Sequence, residues 1–255
     1  MSIFHELFSS QAQMWSLIFC ASLIGMSKTG LQGINTVSIP LMAIAFGAKP
    51  STGVILPMLC FADLVAVIYY RRHAMWGHIF RLLPMAVAGF FLAIYADTFV
   101  EARNFKYLIA ACIFGGLLVM LWSGRKGEDE NAAAAASRWY APLFGLLGGF
   151  STMIGNAAGP VMAVYLLSTR LKKLDFVGTN AWFFLIVNYL KLPLQAFVWD
   201  NIDAASLSVG AFGAPFILAG AAAGVWLVKR LPERGYRGFV LAMTIVSTLA
   251  MFAEF

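Results

Sequence analysis

Long apolar runs separated by short polar loops are the feature that most constrains how this chain folds. Several runs are about 20 residues long, which a helix needs to cross the roughly 30 Å hydrocarbon core of a bilayer. Others, of about 14 residues, reach only about 21 Å as helices. Each half of the chain has two short runs followed by three longer ones. The runs lie at 13–27, 34–47, 51–70, 78–97, 104–122, 139–154, 157–169, 175–199, 206–228 and 236–253.

The composition supports a membrane protein. Hydrophobic residues make up 61% of the chain and charged residues 12%, with a mean hydropathy of +0.80. A soluble domain usually has about a quarter of its residues charged. The runs are too long for the strands of a membrane β-barrel and lack the alternation that such strands show. The sequence therefore predicts an all-α, polytopic protein of the cell membrane.

The two halves share the order of their runs and a few residues. Pro40-Leu-Met-Ala matches Pro160-Val-Met-Ala at a spacing of 160 − 40 = 120 residues. Asp63 matches Asn188 at a spacing of 188 − 63 = 125. These matches predict an internal repeat, with an N-terminal repeat at 1–122, a linker at 123–138 and a C-terminal repeat at 139–255.

Basic residues in the loops predict how the two halves are oriented. Lys and Arg are enriched in cytoplasmic loops. Here they cluster near Arg71, between Arg125 and Arg138, near Lys173 and near Lys229. Counting from these loops, the first short pair enters from outside and the second from inside. The predicted fold is two inverted repeats, each a short broken or re-entrant helix pair followed by three transmembrane helices, as in alternating-access transporters.

Two glycine-rich stretches, Gly25–Met42 and Gly145–Met162, carry polar residues in these apolar surroundings. If each short pair is a hairpin, its second helix begins deep in the membrane, near Asn35 and near Asn156. A helix start has unpaired N–H groups and a partial positive charge, and glycine allows a ligand to approach the backbone. The alternative is that glycine and serine only let helices pack closely. The candidate anion-binding residues are Lys28, Thr29, Gly30, Gly33, Asn35, Ser151, Thr152, Gly155 and Asn156.

Three more polar residues, Asp63, Asn188 and Lys191, lie within long apolar runs. Asp63 is a candidate proton carrier because burial disfavours its charged form. The alternatives are an ion pair with Lys28 and a hydrogen bond to a helix. Asn188 and Lys191 share a helix face, and Lys191 either faces the substrate path or extends to the membrane interface. We treat all three as candidate coupling or gating residues.

The sequence gives no sign of an enzyme. Cys20, Cys60 and Cys112 lie far apart in apolar runs, and the three histidines lie at ends or in loops. These cysteines and histidines form neither a catalytic set nor the spacing of metal ligands. We therefore expect no catalytic residues, no bound metal and no cofactor. The net charge of +6 comes from clusters in short loops, which indicate topology rather than nucleic-acid binding.

The glycine-rich stretches resemble those of a known family. With Gly33-Ile-Asn-Thr-Val-Ser-Ile-Pro40 in one half and Gly155-Asn-Ala-Ala-Gly-Pro160 in the other, the chain is similar to the TauE/SafE family of sulfite and organosulfonate exporters. The resemblance covers nearly the whole length. It implies transport of a small sulfur-containing anion, such as sulfite, thiosulfate or a sulfonate like sulfoacetate, driven by the proton gradient.

The predicted function is secondary transport of a small anion across a bacterial inner membrane, with the site at the midplane between two glycine-rich helix breaks. The expected partners are the anion, the lipid bilayer and protons. An anion channel of the same architecture and a membrane scaffold subunit without transport are the alternatives. The direction of transport and the oligomeric state stay open.

The loop charges generate the first testable prediction. Both termini should lie outside the cell and the 123–138 linker inside. A cysteine introduced near residue 130, in a background without native cysteines, should react with an impermeant thiol reagent only from the cytoplasmic side. Reaction from outside would contradict the inverted orientation of the halves.

Overall fold

The structure, a computed structural model, describes residues 10–100 and 137–232, together with Phe8 and scattered positions within 107–118 and 235–242. All regular elements in the described residues are helical. The helices are α1 Gln11–Lys28, α2 Ser38–Phe46, α3 Ala48–Tyr70, α4 Trp76–Asp97, α5 Tyr140–Gly155, α6 Gly159–Ser168, α7 Lys173–Phe197, α8 Ala204–Phe212 and α9 Ala214–Arg230. They confirm the predicted helical class. The runs predicted at 104–122 and 236–253, and most of the linker, lie outside the described residues.

Length and apolar composition identify the helices able to cross a membrane. Within the described residues these are α3 and α4, and the bent pair α8 and α9 makes a third if it is one span. The run at 206–228, expected as one helix, is broken because α9 begins at Ala214–Pro215, and its two parts meet at 45°. Helix α7 has 25 residues but carries Asn180, Asn188 and Lys191, which lower its hydropathy.

Each short helix pair is a hairpin. In the first, the side-chain amide of Gln13 at the start of α1 donates to the carbonyl of Ala45 at the end of α2, at 2.8 Å. In the second, the rings of Tyr140 at the start of α5 and Tyr165 near the end of α6 lie 5.9 Å apart. These contacts show that the two helices of each pair run back along one another.

The second helix of each hairpin begins a few residues later than predicted. Helix α2 starts at Ser38 rather than near Asn35, because a 3₁₀ turn spans Ile34–Val37. Helix α6 starts at Gly159 rather than near Asn156, because Asn156 ends α5 in the left-handed conformation at φ 57°. Each hairpin tip therefore contains irregular backbone between its two helices.

Helices α3 and α7 cross in antiparallel fashion at the centre of the fold. Near the start of α3, Thr52 Oγ1 lies 3.4 Å from Gln195 Oε1, near the end of α7. After the end of α3, the backbone N–H of Met75 donates to Thr179 Oγ1, near the start of α7, at 2.9 Å. The two ends of this crossing are called here the Lys49 end, with Lys49, Asp97 and Asn201, and the Arg71 end, with Arg71, Lys173 and Lys229.

Glycines let each hairpin pack closely on a helix of the other half. On α1, a Cβ at Gly25 would collide with the backbone of Ile217 and Ala221 on α9. On α5, a Cβ at Gly149 would collide with the backbone of Ala86 on α4. The first hairpin therefore packs on α9 and the second on α4, so the two contacts have the same arrangement.

These contacts predict that Gly149→Ala destabilises the protein. The added methyl group has no room against Ala86, and overpacking of this kind costs about 1–3 kcal/mol. Gly77→Ala is the matched control, because no atom lies within 4 Å of the Cβ position at Gly77. Thermal unfolding of the purified protein in detergent should show a lower Tm for Gly149→Ala only. Equal Tm values for the two variants would contradict the close contact of α4 and α5.

Candidate functional site

A polar cavity lies where the two hairpin tips meet α3 and α7. Its volume is about 30 Å³. The first hairpin contributes Lys28, Gly33 and Asn35 to its wall, and the second contributes Thr152 and Asn156. The remaining lining residues are Ser27, Gln32, Ile39, Leu59, Gly159, Asn180, Phe184 and Asn188.

The backbone at the first tip explains why glycine is needed there. Gly30 has φ +143° and Gly33 has φ 96°, conformations that residues with a Cβ rarely adopt. They end α1 and redirect the chain into the 3₁₀ turn. Lys28, the last residue of α1, thereby projects into the buried centre of the protein.

Lys28 forms a buried ion pair with Asp63. Its Nζ lies 2.8 Å from Asp63 Oδ1, and both side chains are buried. The same Nζ lies 4.1 Å from the centre of the Phe184 ring, a cation–π distance. On the other side, the amide of Asn188 donates to Asp63 Oδ2 at 2.6 Å. Asp63 and Asn188, which the predicted repeat pairs, are thus in direct contact where α3 and α7 cross.

Lys191 binds the second hairpin tip but does not line the cavity. The fully buried Nζ donates to the carbonyl and the hydroxyl of Thr152, both at 2.9 Å, and to Asn156 Oδ1 at 2.5 Å. Within the described residues, no carboxylate lies within ion-pair distance of Lys191. Three neutral oxygens therefore solvate its ammonium group, in a place where an unpaired charge is costly.

The structure brings some of the predicted residues to the cavity and turns others away. The predicted residues that line it are Lys28, Gly33, Asn35, Thr152, Asn156 and Asn188. Directly behind the lining lie Asp63 and Lys191. The predicted residues that do not line it are Thr29, Gly30, Ser151 and Gly155. The Thr29 hydroxyl donates to the carbonyls of Gly25 at 3.0 Å and Ala221 at 2.9 Å, so it faces α9. The carbonyl of Gly30 accepts from the Tyr236 hydroxyl at 2.6 Å.

Several amide side chains at the cavity were not among the predicted residues. Gln32 and Asn180 both line it. A helical spacing could have identified Asn180, because Asn180, Phe184 and Asn188 lie four residues apart and share one face of α7. Four buried amide oxygens have no hydrogen-bond partner in the structure: those of Gln32, Asn35, Asn180 and Asn188. The cavity is thus surrounded by polar groups that the protein itself does not satisfy.

The comparisons with known proteins give the family. The family model for the sulfite exporter TauE/SafE matches residues 17–251 of the 255-residue chain. The chain belongs to this family. This confirms the resemblance seen in the two glycine-rich stretches and identifies a membrane transporter family whose name refers to sulfite export. A search among curated proteins found no match, and a search among solved structures found none either.

Proposed function

We propose that the protein is a secondary transporter of a small sulfur-containing oxyanion in a bacterial inner membrane, and that the central cavity binds this anion. The observation that carries the proposal is the meeting of the two hairpin tips around one buried polar cavity lined by Lys28. The family supplies the chemical class of the substrate.

The buried charges favour an anion over a cation. Around the cavity lie the ammonium groups of Lys28 and Lys191 and one carboxylate, that of Asp63. In their ordinary ionised states these three groups have a net charge of +1. Buried charges need compensation in a low-dielectric environment, and a bound anion provides it.

The cavity also has suitable hydrogen-bond donors, and its small volume limits the size of the anion. The amides of Asn35 and Asn180 each have two N–H donors. Those of Asn156 and Asn188 each have one more beside their bonds to Thr52 and Asp63, and an oxyanion accepts hydrogen bonds in several directions. A volume of about 30 Å³ admits about two water-sized groups. Sulfite, with four non-hydrogen atoms, needs more room than this, but it requires less widening of the cavity than an extended sulfonate does.

The helix contacts support a transport cycle based on two inverted repeats. Helices α3 and α7 run antiparallel, and their repeat-related residues Asp63 and Asn188 touch at the crossing. Each hairpin packs on a helix of the opposite half through glycines, as Gly25 and Gly149 show. In inverted repeats, rocking of one half against the other exposes a midplane site to each side in turn. We assign the Arg71 end to the cytoplasm by its basic residues.

The Lys28–Asp63 pair offers a way to couple the anion to protons. When Asp63 is ionised, it neutralises Lys28. When Asp63 takes up a proton, Lys28 loses its partner and is available to the anion. Anion binding then favours protonation of Asp63, and the reverse holds by linkage. Anion and proton thus move together, and their combined gradients set the direction of transport.

The first test concerns the charged ligand. Lys28→Ala should weaken binding of sulfite about ten- to a hundredfold, because a charge-assisted hydrogen bond contributes about 1.5–3 kcal/mol. Lys49→Ala is the matched control, since Lys49 forms its 2.8 Å ion pair with Asp97 at the Lys49 end, away from the cavity. Calorimetric titration of the purified variants measures both affinities. Equal affinity of Lys28→Ala and the wild type, with both folded, would rule out Lys28 as a ligand.

The second test concerns coupling. In proteoliposomes with an imposed pH gradient, Asp63→Asn should abolish accumulation of the anion but keep exchange of anion for anion. The amide keeps the shape of the side chain but cannot bind a transported proton. Asp97→Asn, which removes a carboxylate outside the central cluster, should retain both activities. Accumulation by Asp63→Asn with the pH dependence of the wild type would show that Asp63 is structural.

A further inference from the structure

A second and larger cavity opens at the Arg71 end. Its volume is about 450 Å³, compared with about 30 Å³ for the central cavity. It lies between the end of α3, the start of α7 and the end of α9. The lining residues are Tyr69, Tyr70, His73, Lys173, Leu174, Val228 and Lys229. We call it the basic vestibule.

The basic vestibule is suited to a small oxyanion. Its wall contains two lysines and a histidine, and no carboxylate is among its lining residues. Asp175, just outside this wall, lies 3.4 Å from His73 Nδ1. Lys173 donates to the carbonyls of Val228 and Leu231, which fixes its charge at the end of α9. Lys229 lies 5.4 Å from the centre of the Tyr69 ring. Walls of one charge concentrate ions of the opposite sign.

Tyr70 separates the basic vestibule from the central cavity. It lines the vestibule and is buried, and its hydroxyl donates to the carbonyl of Thr29 at 2.9 Å. Thr29 directly follows Lys28, which lines the central cavity. The tip of the first hairpin is therefore the barrier between the two spaces. Two tyrosines hold it, since the Tyr236 hydroxyl donates to the next carbonyl along the chain, that of Gly30, at 2.6 Å.

In the other half, side chains fill the place that corresponds to the basic vestibule. Gln195 follows Tyr70 by 195 − 70 = 125 residues, the spacing that relates Asn188 to Asp63. Its side-chain amide donates to the carbonyl of Met153, near the end of α5, as Tyr70 does to Thr29 near the end of α1. There, Asn201 donates to Gln195 Oε1 and to Thr52 Oγ1, both at 3.2 Å. Side chains occupy the place that the basic vestibule has at the Arg71 end.

We propose that the basic vestibule collects the anion at the Arg71 end and that Tyr70 is the gate between it and the central cavity. This inference rests on the proposed function, because it supplies the entry path to that site. Tyr70 acts as a positioning residue, holding the tip that carries Lys28. The phosphate of a lipid headgroup has similar oxyanion chemistry, so the test distinguishes it from the soluble anion.

The first measurement tests the charge of the vestibule. In a background without native cysteines, Leu174→Cys is treated with a negatively charged and an uncharged methanethiosulfonate in inside-out membrane vesicles. We expect the charged reagent to react several-fold faster relative to the uncharged one than it does at Met75→Cys, a control at an exposed loop position of the same end that does not line the vestibule. Adding Lys229→Gln should reduce this preference. The proposed role of the vestibule would be wrong if the ratio of charged to uncharged labelling rates were equal at both cysteines. It would also be wrong if Leu174→Cys reacted only from outside.

The second measurement tests the gate. Ser27 lines the central cavity, so Ser27→Cys reports access to it. Tyr70→Phe removes the bond to Thr29 and should raise the labelling rate of Ser27→Cys from the Arg71 end about two- to tenfold. Tyr95→Phe, at an exposed tyrosine of α4 that lines neither cavity, should leave the rate unchanged. An unchanged rate in Tyr70→Phe would rule out Tyr70 as the gate.

The lipid is distinguished by repeating the Leu174→Cys measurement in reconstituted vesicles. Methanesulfonate should slow labelling equally in phosphatidylcholine and in phosphatidylglycerol mixtures. If only phosphatidylglycerol slowed the labelling of Leu174→Cys, the cavity would be a site for a lipid phosphate, and the proposed role of the vestibule would be wrong. Labelling needs no transport, so the two proposals fail separately. Unchanged anion affinity in Lys28→Ala, with charge-selective labelling of Leu174→Cys, refutes the proposed function but not the vestibule. Weakened affinity in Lys28→Ala, without charge-selective labelling of Leu174→Cys, refutes the vestibule but not the proposed function.

Discussion

The fold depends on compensating the buried charge of Lys28. A lysine at the end of α1 lies at the centre of an apolar protein, where an unpaired ammonium group is strongly unfavourable. Asp63 on α3 supplies the opposite charge at 2.8 Å, and Asn188 on α7 satisfies the second carboxylate oxygen. Three elements from both halves of the chain are therefore fixed to one another at a single point. Breaking such a pair by removing one partner usually costs about 3–5 kcal/mol, so this contact constrains where the first hairpin tip can lie.

Glycine contacts make the position of each hairpin specific. In a membrane, helices do not gain stability by leaving water, so close backbone packing contributes much of their association. Gly25 allows α1 to lie directly on the backbone of α9, and Gly149 allows α5 to lie directly on α4. The hairpins are thus held along their first helices, while their tips keep irregular backbone with buried polar groups that line the cavity. This combination gives a rigid frame around a polar centre.

The two ends of the molecule differ, although the sequence predicts that the two halves are repeats. At the Lys49 end, Thr52, Gln195 and Asn201 form a hydrogen-bonded cluster over the second hairpin tip. At the Arg71 end, the hydroxyls of Tyr70 and Tyr236 donate to the carbonyls of Thr29 and Gly30 at the first tip, beside a cavity of about 450 Å³. A transporter that alternates between two states is asymmetric in each of them. The structure has this asymmetry, with its larger opening at the basic end.

The sequence by itself determined the helical class, most helix positions and the family, because hydropathy and the two glycine-rich stretches are local properties. It also identified Lys28, Asn156 and Asn188 as polar residues that an apolar environment must accommodate. Only the tertiary structure decided which of these face one cavity. Thr29 follows Lys28 by one residue, about 100° around the helix, and so it contacts α9 instead. Asn180 was missed, although its spacing to Asn188 places both on one face. The partner of each helix face is set by contacts between residues far apart in the chain, such as Gly25 with Ala221, and local patterns do not encode them.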